Sequence, residues 1–152
     1  MLKKITASLL AFIVILGLFI GIPCINFALS TTDIIAGGND AGPTLSWTLD
    51  SNGVLKIIGT GNMTNWVLSA YTPWASYLDS IVTIDITDGV SSVGNDAFRD
   101  CINLTSVKLP PTIASIGNYS FLGCINLINA EIPLGILNIG QSLLYQSLVF
   151  SD

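Results

Sequence analysis

Apolar residues follow three successive patterns along this chain. An almost unbroken apolar run, Leu9 to Ile22, comes after the cations Lys3 and Lys4, which is typical of a secretory signal. From about residue 44 apolar and polar residues alternate, which predicts β-strands. From about residue 81 short alternating segments recur at a fixed interval, which indicates a repeat protein.

The N-terminal pattern predicts export. Ala28 and Ser30 occupy the small-residue positions before a cleavage site, so the predicted signal peptide is 1–30 and the protein is secreted or held at the cell surface. The alternative is an uncleaved membrane anchor, because the apolar run approaches the roughly 20 residues that span a bilayer. The polar stretch after Ser30 favours cleavage.

A flexible leader and a β-hairpin cap are predicted next. Residues 31–43 are rich in Gly, Asp, Asn and Thr without an apolar period, which indicates a flexible segment. The runs Leu45–Leu49 and Val54–Ile58 flank the turn signal Asp50–Gly53, which predicts a hairpin. The cap region is assigned to 44–80.

The cap also carries two tryptophans in an irregular stretch. Trp66 and Trp74 lie near Pro73 with no helical period. Large aromatic side chains dominate small cores, so packing is favoured over a carbohydrate-stacking platform.

A repeat of 23 residues occupies the rest of the chain. Val93–Leu104 aligns with Ile116–Leu127, and the same offset carries Ile84–Ile86 onto Val107–Leu109 and then onto Ala130–Ile132. Each unit contains a short strand and a brief helical turn, and it is too small to bury its apolar side alone. Stacked units are therefore predicted to form a solenoid with one parallel sheet.

Six apolar residues at equivalent repeat positions form the predicted structural core. The two cysteines among them should stack one coil apart, where buried free thiols are favoured over a disulfide, because parallel Cβ vectors fit the S–S torsion poorly. The six residues are Phe98, Phe121, Cys101, Cys124, Leu104 and Leu127.

The repeat Ile-Gly-x-x-x-Phe-x-x-Cys-x-Asn-Leu-x-x-Val-x-Leu-Pro resembles the BspA-like leucine-rich repeats of bacterial surface proteins. The hairpin with Pro73–Trp74 is similar to the segment that often precedes them. The resemblance covers about Leu45–Gly140. The resemblance implies a mainly β fold with short helical turns, in which a solenoid of about two and a half repeats follows the hairpin cap. It also implies a secreted or wall-associated protein implicated in adhesion or host contact. It supplies no catalytic residues.

The third repeat departs from this pattern, so the repeat region 81–152 is expected to be incomplete at its C-terminus. Leu144 stands where Phe is expected and Ser147 replaces Cys. We expect a truncated reading frame or a natural fragment. Its open, apolar C-terminal end is predicted to be prone to self-association.

Charge and residue types limit the possible functions. Without Lys3 and Lys4, three cations remain against ten acidic residues, a net charge of −7, which disfavours nucleic acid as a partner. The chain has no His, which removes the commonest general base and a favoured metal ligand. The sequence therefore predicts a non-enzymatic protein without cofactor or metal.

The candidate binding face is the exposed side of the repeat sheet. Asp85, Lys108 and Glu131 are the central residues of three successive predicted strands, so they share one face by the period of two. The open face of a solenoid is its natural binding surface, and the predicted partner is a protein or a host-surface ligand. A solvated charge ladder without a ligand, in a purely structural spacer, is the alternative.

Overall fold

The computed structural model describes residues 33–141, and the predictions for the signal peptide and for positions 144 and 147 lie outside the described residues. The regular secondary structure of the described chain consists of ten strands, most of them short, and two 3₁₀ helices in the cap at Ser69–Tyr71 and Ala75–Ser80. The strands are β1 Ile34–Gly42, β2 Leu45–Asp50, β3 Val54–Gly59, β4 Gly61–Asn62, β5 Thr83–Ile86, β6 Val90–Val93, β7 Ser106–Lys108, β8 Ser115–Ile116, β9 Asn129–Glu131 and β10 Asn138–Ile139.

Two sheets enclose a single core. The larger has six strands in the order β1-β2-β3-β5-β7-β9, and the smaller has four in the order β10-β8-β6-β4. The hairpin of β2 and β3 is antiparallel, and β3, β5, β7 and β9 run parallel. Ile84 lies beside Val107, which lies beside Ala130. The parallel arrangement of repeat strands predicted from the 23-residue offset is thus confirmed.

The prediction of a flexible leader over 31–43 is wrong, because residues 34–42 form β1. This strand pairs antiparallel with β2, and the indole N–H of Trp47 donates a hydrogen bond to Asp40 Oδ1 at 2.8 Å. A Cβ on Gly38 would lie 2.8 Å from that indole nitrogen. The glycines that suggested flexibility instead leave room for a close approach between β1 and the Trp47 side chain.

A stack of aromatic rings joins the cap to the repeats. The ring centroids of Trp74 and Phe98 are 5.5 Å apart, and those of Phe98 and Phe121 are 5.4 Å apart, both in stacked geometry. The indole N–H of Trp74 donates to the carbonyl of Ala97 at 2.8 Å. Trp74 is fully buried, whereas Trp66 is half-buried against its edge. Trp74 therefore occupies in the cap the position that Phe98 and Phe121 take in the first two repeats, and it belongs to the core as predicted.

A ladder of asparagine side chains connects successive coils on the smaller sheet's side. The backbone N–H of Asn95 donates to Asn65 Oδ1 at 2.9 Å, that of Asn118 to Asn95 Oδ1 at 2.8 Å, and that of Gln141 to Asn118 Oδ1 at 2.7 Å. Each amide oxygen thereby satisfies a backbone donor that has no strand partner. This asparagine ladder fixes the spacing of the coils.

Candidate binding face

The structure brings the three residues of the candidate face into one row. Asp85 on β5 lies beside Lys108 on β7, which lies beside Glu131 on β9. Ile84 and Ile86, which flank Asp85 on β5, are buried. Side chains alternate across a strand, so the row projects from the side of the six-stranded sheet opposite the core.

The row has a fourth member that the sequence reasoning missed. Lys56 on β3 lies beside Asp85, and its Nζ is 3.5 Å from Asp85 Oδ2. Both side chains are substantially exposed, so the ion pair contributes at most about 1 kcal/mol to stability. The sequence does contain a signal for the outward position of Lys56, because this residue stands between the apolar Leu55 and Ile57, as Asp85 stands between two isoleucines.

The completed charge row, Lys56–Asp85–Lys108–Glu131, alternates in sign across four adjacent strands. Among the described residues, the Lys108 ammonium has no ion-pair partner. The expected alternative, a solvated charge ladder without a ligand, is equally compatible with this arrangement, in which Lys56–Asp85 is the ion pair of the row. The Lys108 ammonium is left to interact with solvent or with a ligand.

A groove of about 660 Å³ runs beside the charge row, where β5 and β7 end. Besides the four charged residues its walls include the loop residues Thr87, Asp88, Pro110 and Pro111. The other outward positions of the parallel strands are small or uncharged, among them Thr83, Ser106 and Asn129. The face thus combines a row of charged side chains with an open groove of mixed polar and apolar lining.

The remaining cation of the described chain is engaged elsewhere. Arg99 Nη1 lies 3.0 Å from Asp96 Oδ1, and Arg99 Nε lies 3.5 Å from Asp100 Oδ2. The hydrogen bond to Asp96 is the main cause that raises the pKa of Arg99. Besides Arg99, the only cationic side chains of residues 33–141 are Lys56 and Lys108, and both lie on the charge row.

The six core residues predicted from the repeat are all buried. Cys101 and Cys124 are free thiols. The Cys124 thiol donates a hydrogen bond to the carbonyl oxygen of Phe98, with a distance of 3.1 Å between Sγ and that oxygen. Burial raises the pKa of the Cys101 thiol well above the ordinary 9.0 and that of Cys124 to about 12. Neither thiol is poised for nucleophilic or redox chemistry, since the thiolate is the reactive form.

We predict that Cys101 and Cys124 react with a chromogenic disulfide reagent at pH 8 only after the chain unfolds, as followed by absorbance in native buffer and in denaturant. The folded chain retains these protons above pH 9.0 while the unfolded chain releases them. The two protonated thiols therefore stabilise the fold fully below pH 9.0, and this stabilisation is lost as the pH rises toward about 12. Rapid labelling of the native chain would contradict this placement.

The described residues contain neither a metal site nor a membrane-spanning helix. Residues 33–141 contain no group of three or more His, Cys, Asp or Glu side chains arranged to hold a metal ion. Within the same residues, no helix has the length and apolar character needed to cross a membrane.

Comparison with known proteins identifies the repeats. The BspA type leucine rich repeat region (6 copies) matches residues 75–150. A leucine-rich repeat protein from Eubacterium ventriosum is 26% identical with a TM-score of 0.60, and the match covers 74% of this chain and 36% of that one. No curated protein matches the sequence.

Two other solved structures are more distant. A leucine rich repeat protein of T. pallidum is 18% identical with a TM-score of 0.48, over 66% of this chain and 52% of that one. A leucine rich cell surface protein from Faecalibacterium prausnitzii is 17% identical with a TM-score of 0.43, over 70% of this chain and 33% of that one. The chain thus spans about a third to a half of these proteins. By its matching repeats, its parallel strands and its stacked core, the chain belongs to the BspA-type leucine-rich-repeat family.

Proposed function

We propose that this protein is an exported cell-surface module that binds another protein or a host surface through the exposed face of its six-stranded sheet. The observation that carries the proposal is the charge row with its adjoining groove. Four charges are held in register by the backbone pairing of β3, β5, β7 and β9. Fixed positions matter because preorganised charges give specificity without a cost in ordering the binding surface.

Export and the family support the location and the kind of partner. The pattern of residues 1–30 is that of a secretory signal, and repeat proteins present extended faces to macromolecules. Adhesion is the function we infer, with no catalytic step. A structural spacer whose sheet face binds nothing is the second candidate, and the Lys56–Asp85 ion pair favours it because that contact gives both charges a partner within the chain.

Surface display separates the two functions. We expect cells that display the full chain to adhere to epithelial cells or to immobilised matrix protein. Changing Asp85, Lys108 and Glu131 together to Ala should abolish that adhesion, because it removes three of the four charges of the row. The matched control changes Asp33 and Asp79, which are exposed and lie off the row, and it should adhere normally. Unchanged adhesion in the triple variant, at equal display level, would leave only the spacer.

A further inference from the structure

We propose that the partner of this face is a second copy of the same chain, bound face to face about a two-fold axis. The proposal rests on the proposed function, since it takes the charge row to be a binding surface. Its starting point is the order of signs along the row. Lys56, Asp85, Lys108 and Glu131 read positive, negative, positive, negative across four hydrogen-bonded strands.

An alternating row with four members is complementary to itself when it is reversed. Reversal places Lys56 opposite the second copy's Glu131, and Asp85 opposite the second copy's Lys108. Each of these contacts occurs twice, as the isologous interface of a two-fold dimer requires. The strands of a parallel sheet are evenly spaced at about 4.8 Å, so all four contacts can form in one arrangement.

The direction of the axis follows from the same signs. An axis parallel to the strands, midway between β5 and β7, reverses the row. An axis along the row would set every charge against its own copy, which is repulsive. The first arrangement also places Asp88, in the loop after β5, over the uncharged Pro110–Pro111 turn after β7, so no like charge opposes it.

The neighbouring side chains allow this approach. The other outward positions on β3, β5, β7 and β9 carry Val54, Ile58, Thr83, Ser106 and Asn129, which are uncharged. Ile58 is 38% exposed and would be covered. The net charge of −7 on each mature chain opposes association, but at 0.15 M salt screening over about 8 Å weakens this long-range repulsion more than it weakens pairs in contact.

The face is small, so we expect a weak dimer. A standard interface covers roughly 800 Å² of each partner, more than four short strands supply. Display of many copies on a surface compensates for weak pairing by raising the effective concentration. Facing surfaces that carry this chain would then adhere to each other through identical modules.

Two single charge reversals test the dimer. Asp85→Lys gives positive charge at 56, 85 and 108, and Lys108→Glu gives negative charge at 85, 108 and 131. Each variant alone sets like charges at both central contacts, so we expect its self-association to be at least about tenfold weaker than that of the wild type. A mixture of the two variants restores opposite signs at all four contacts and should associate at least as well as the wild type.

The measurement is sedimentation equilibrium of the full chain, purified as the exported product, over a concentration series at 0.15 M salt. Asp79→Lys is the matched control, with the same charge change at an exposed position off the row, and it should behave as the wild type. Unaltered melting curves would show that both variants fold. A monomeric wild type, or single variants that associate as strongly as the wild type, would overturn the dimer, and the latter result would assign association to another surface such as the C-terminal end.

The dimer and the proposed adhesive function can fail separately. A monomeric chain whose adhesion to epithelial cells or matrix protein is still lost in the Asp85, Lys108 and Glu131 variant overturns the dimer alone. Restored association in the mixture, with unchanged adhesion of the triple variant, confirms the dimer and overturns adhesion to those other surfaces through this face.

Discussion

Replacing Phe98 with Ala is expected to lower the free energy of unfolding by about 3 to 5 kcal/mol, since it empties a site enclosed on both sides. The ring is fully buried and lies between Trp74 and Phe121, with centroids at 5.5 and 5.4 Å. Neither neighbour can move to fill the space, because each is held in a different coil of the stack. A small domain has only about 5 to 15 kcal/mol of stability in total, so this variant should lose a large fraction of its stability.

Urea denaturation followed by tryptophan fluorescence measures this loss, since Trp74 reports directly on the stack. Phe98→Leu is the control, which keeps most of the volume and should cost clearly less. Phe121→Ala should cost about 3 to 5 kcal/mol or somewhat less, since the small cavity beside Phe121 includes half-buried groups, Ala130 and Ile132, in its lining. A shift below about 1 kcal/mol for Phe98→Ala would be incompatible with a continuous stack.

The second large effect is expected from Gly94→Ala. A Cβ at position 94 would collide with the backbone oxygen of Thr64, and backbone in the neighbouring coil cannot move aside as a flexible side chain can. The coil must separate from the cap, which breaks the adjacent hydrogen bond from Asn95 to Asn65. We expect a loss of 3 kcal/mol or more, at about the upper end for overpacked sites.

Gly135→Ala is the matched control for this change. A Cβ at position 135 meets nothing within 4 Å, so its effect on thermal unfolding should be within about 0.5 kcal/mol. Equal melting temperatures for the two variants would show that contact between the coil and the cap does not need glycine at position 94.

The repeat unit accounts for most of what the sequence could predict. A fixed offset places equivalent residues one above another, so the neighbours of Ile84 and the stacking of Phe98 followed directly from periodicity. The same offset indicated that Asp85, Lys108 and Glu131 share a row. These features could be predicted because a fixed sequence period places equivalent residues of neighbouring coils one above another along the solenoid axis.

The parts that could not be predicted lie where the period is broken. Lys56 is 29 residues before Asp85 rather than 23, because the irregular cap loop intervenes, so alignment by offset does not find it. The strand β1 has no apolar alternation, and its pairing depends on backbone hydrogen bonds and on the approach to Trp47. Asn65 joins the asparagine ladder from outside the repeats, and only its position in space relates it to Asn95.

The charge row has a consequence for how such a protein can change in length. Within the repeats, each coil of 23 residues contributes one member to the row, and the sign changes from Asp85 to Lys108 and from Lys108 to Glu131. A row of alternating sign complements its own reversal only when the number of members is even. With an odd number, both ends carry the same sign and every reversed contact is between like charges. In the arrangement that pairs every member, gain or loss of a single coil of alternating sign would therefore set like charges against each other. Opposite charges would then meet only after a shift by one strand, which leaves one member of the row without a partner in the second copy. The number of coils thus sets how many charges of the row pair between two copies in the proposed dimer.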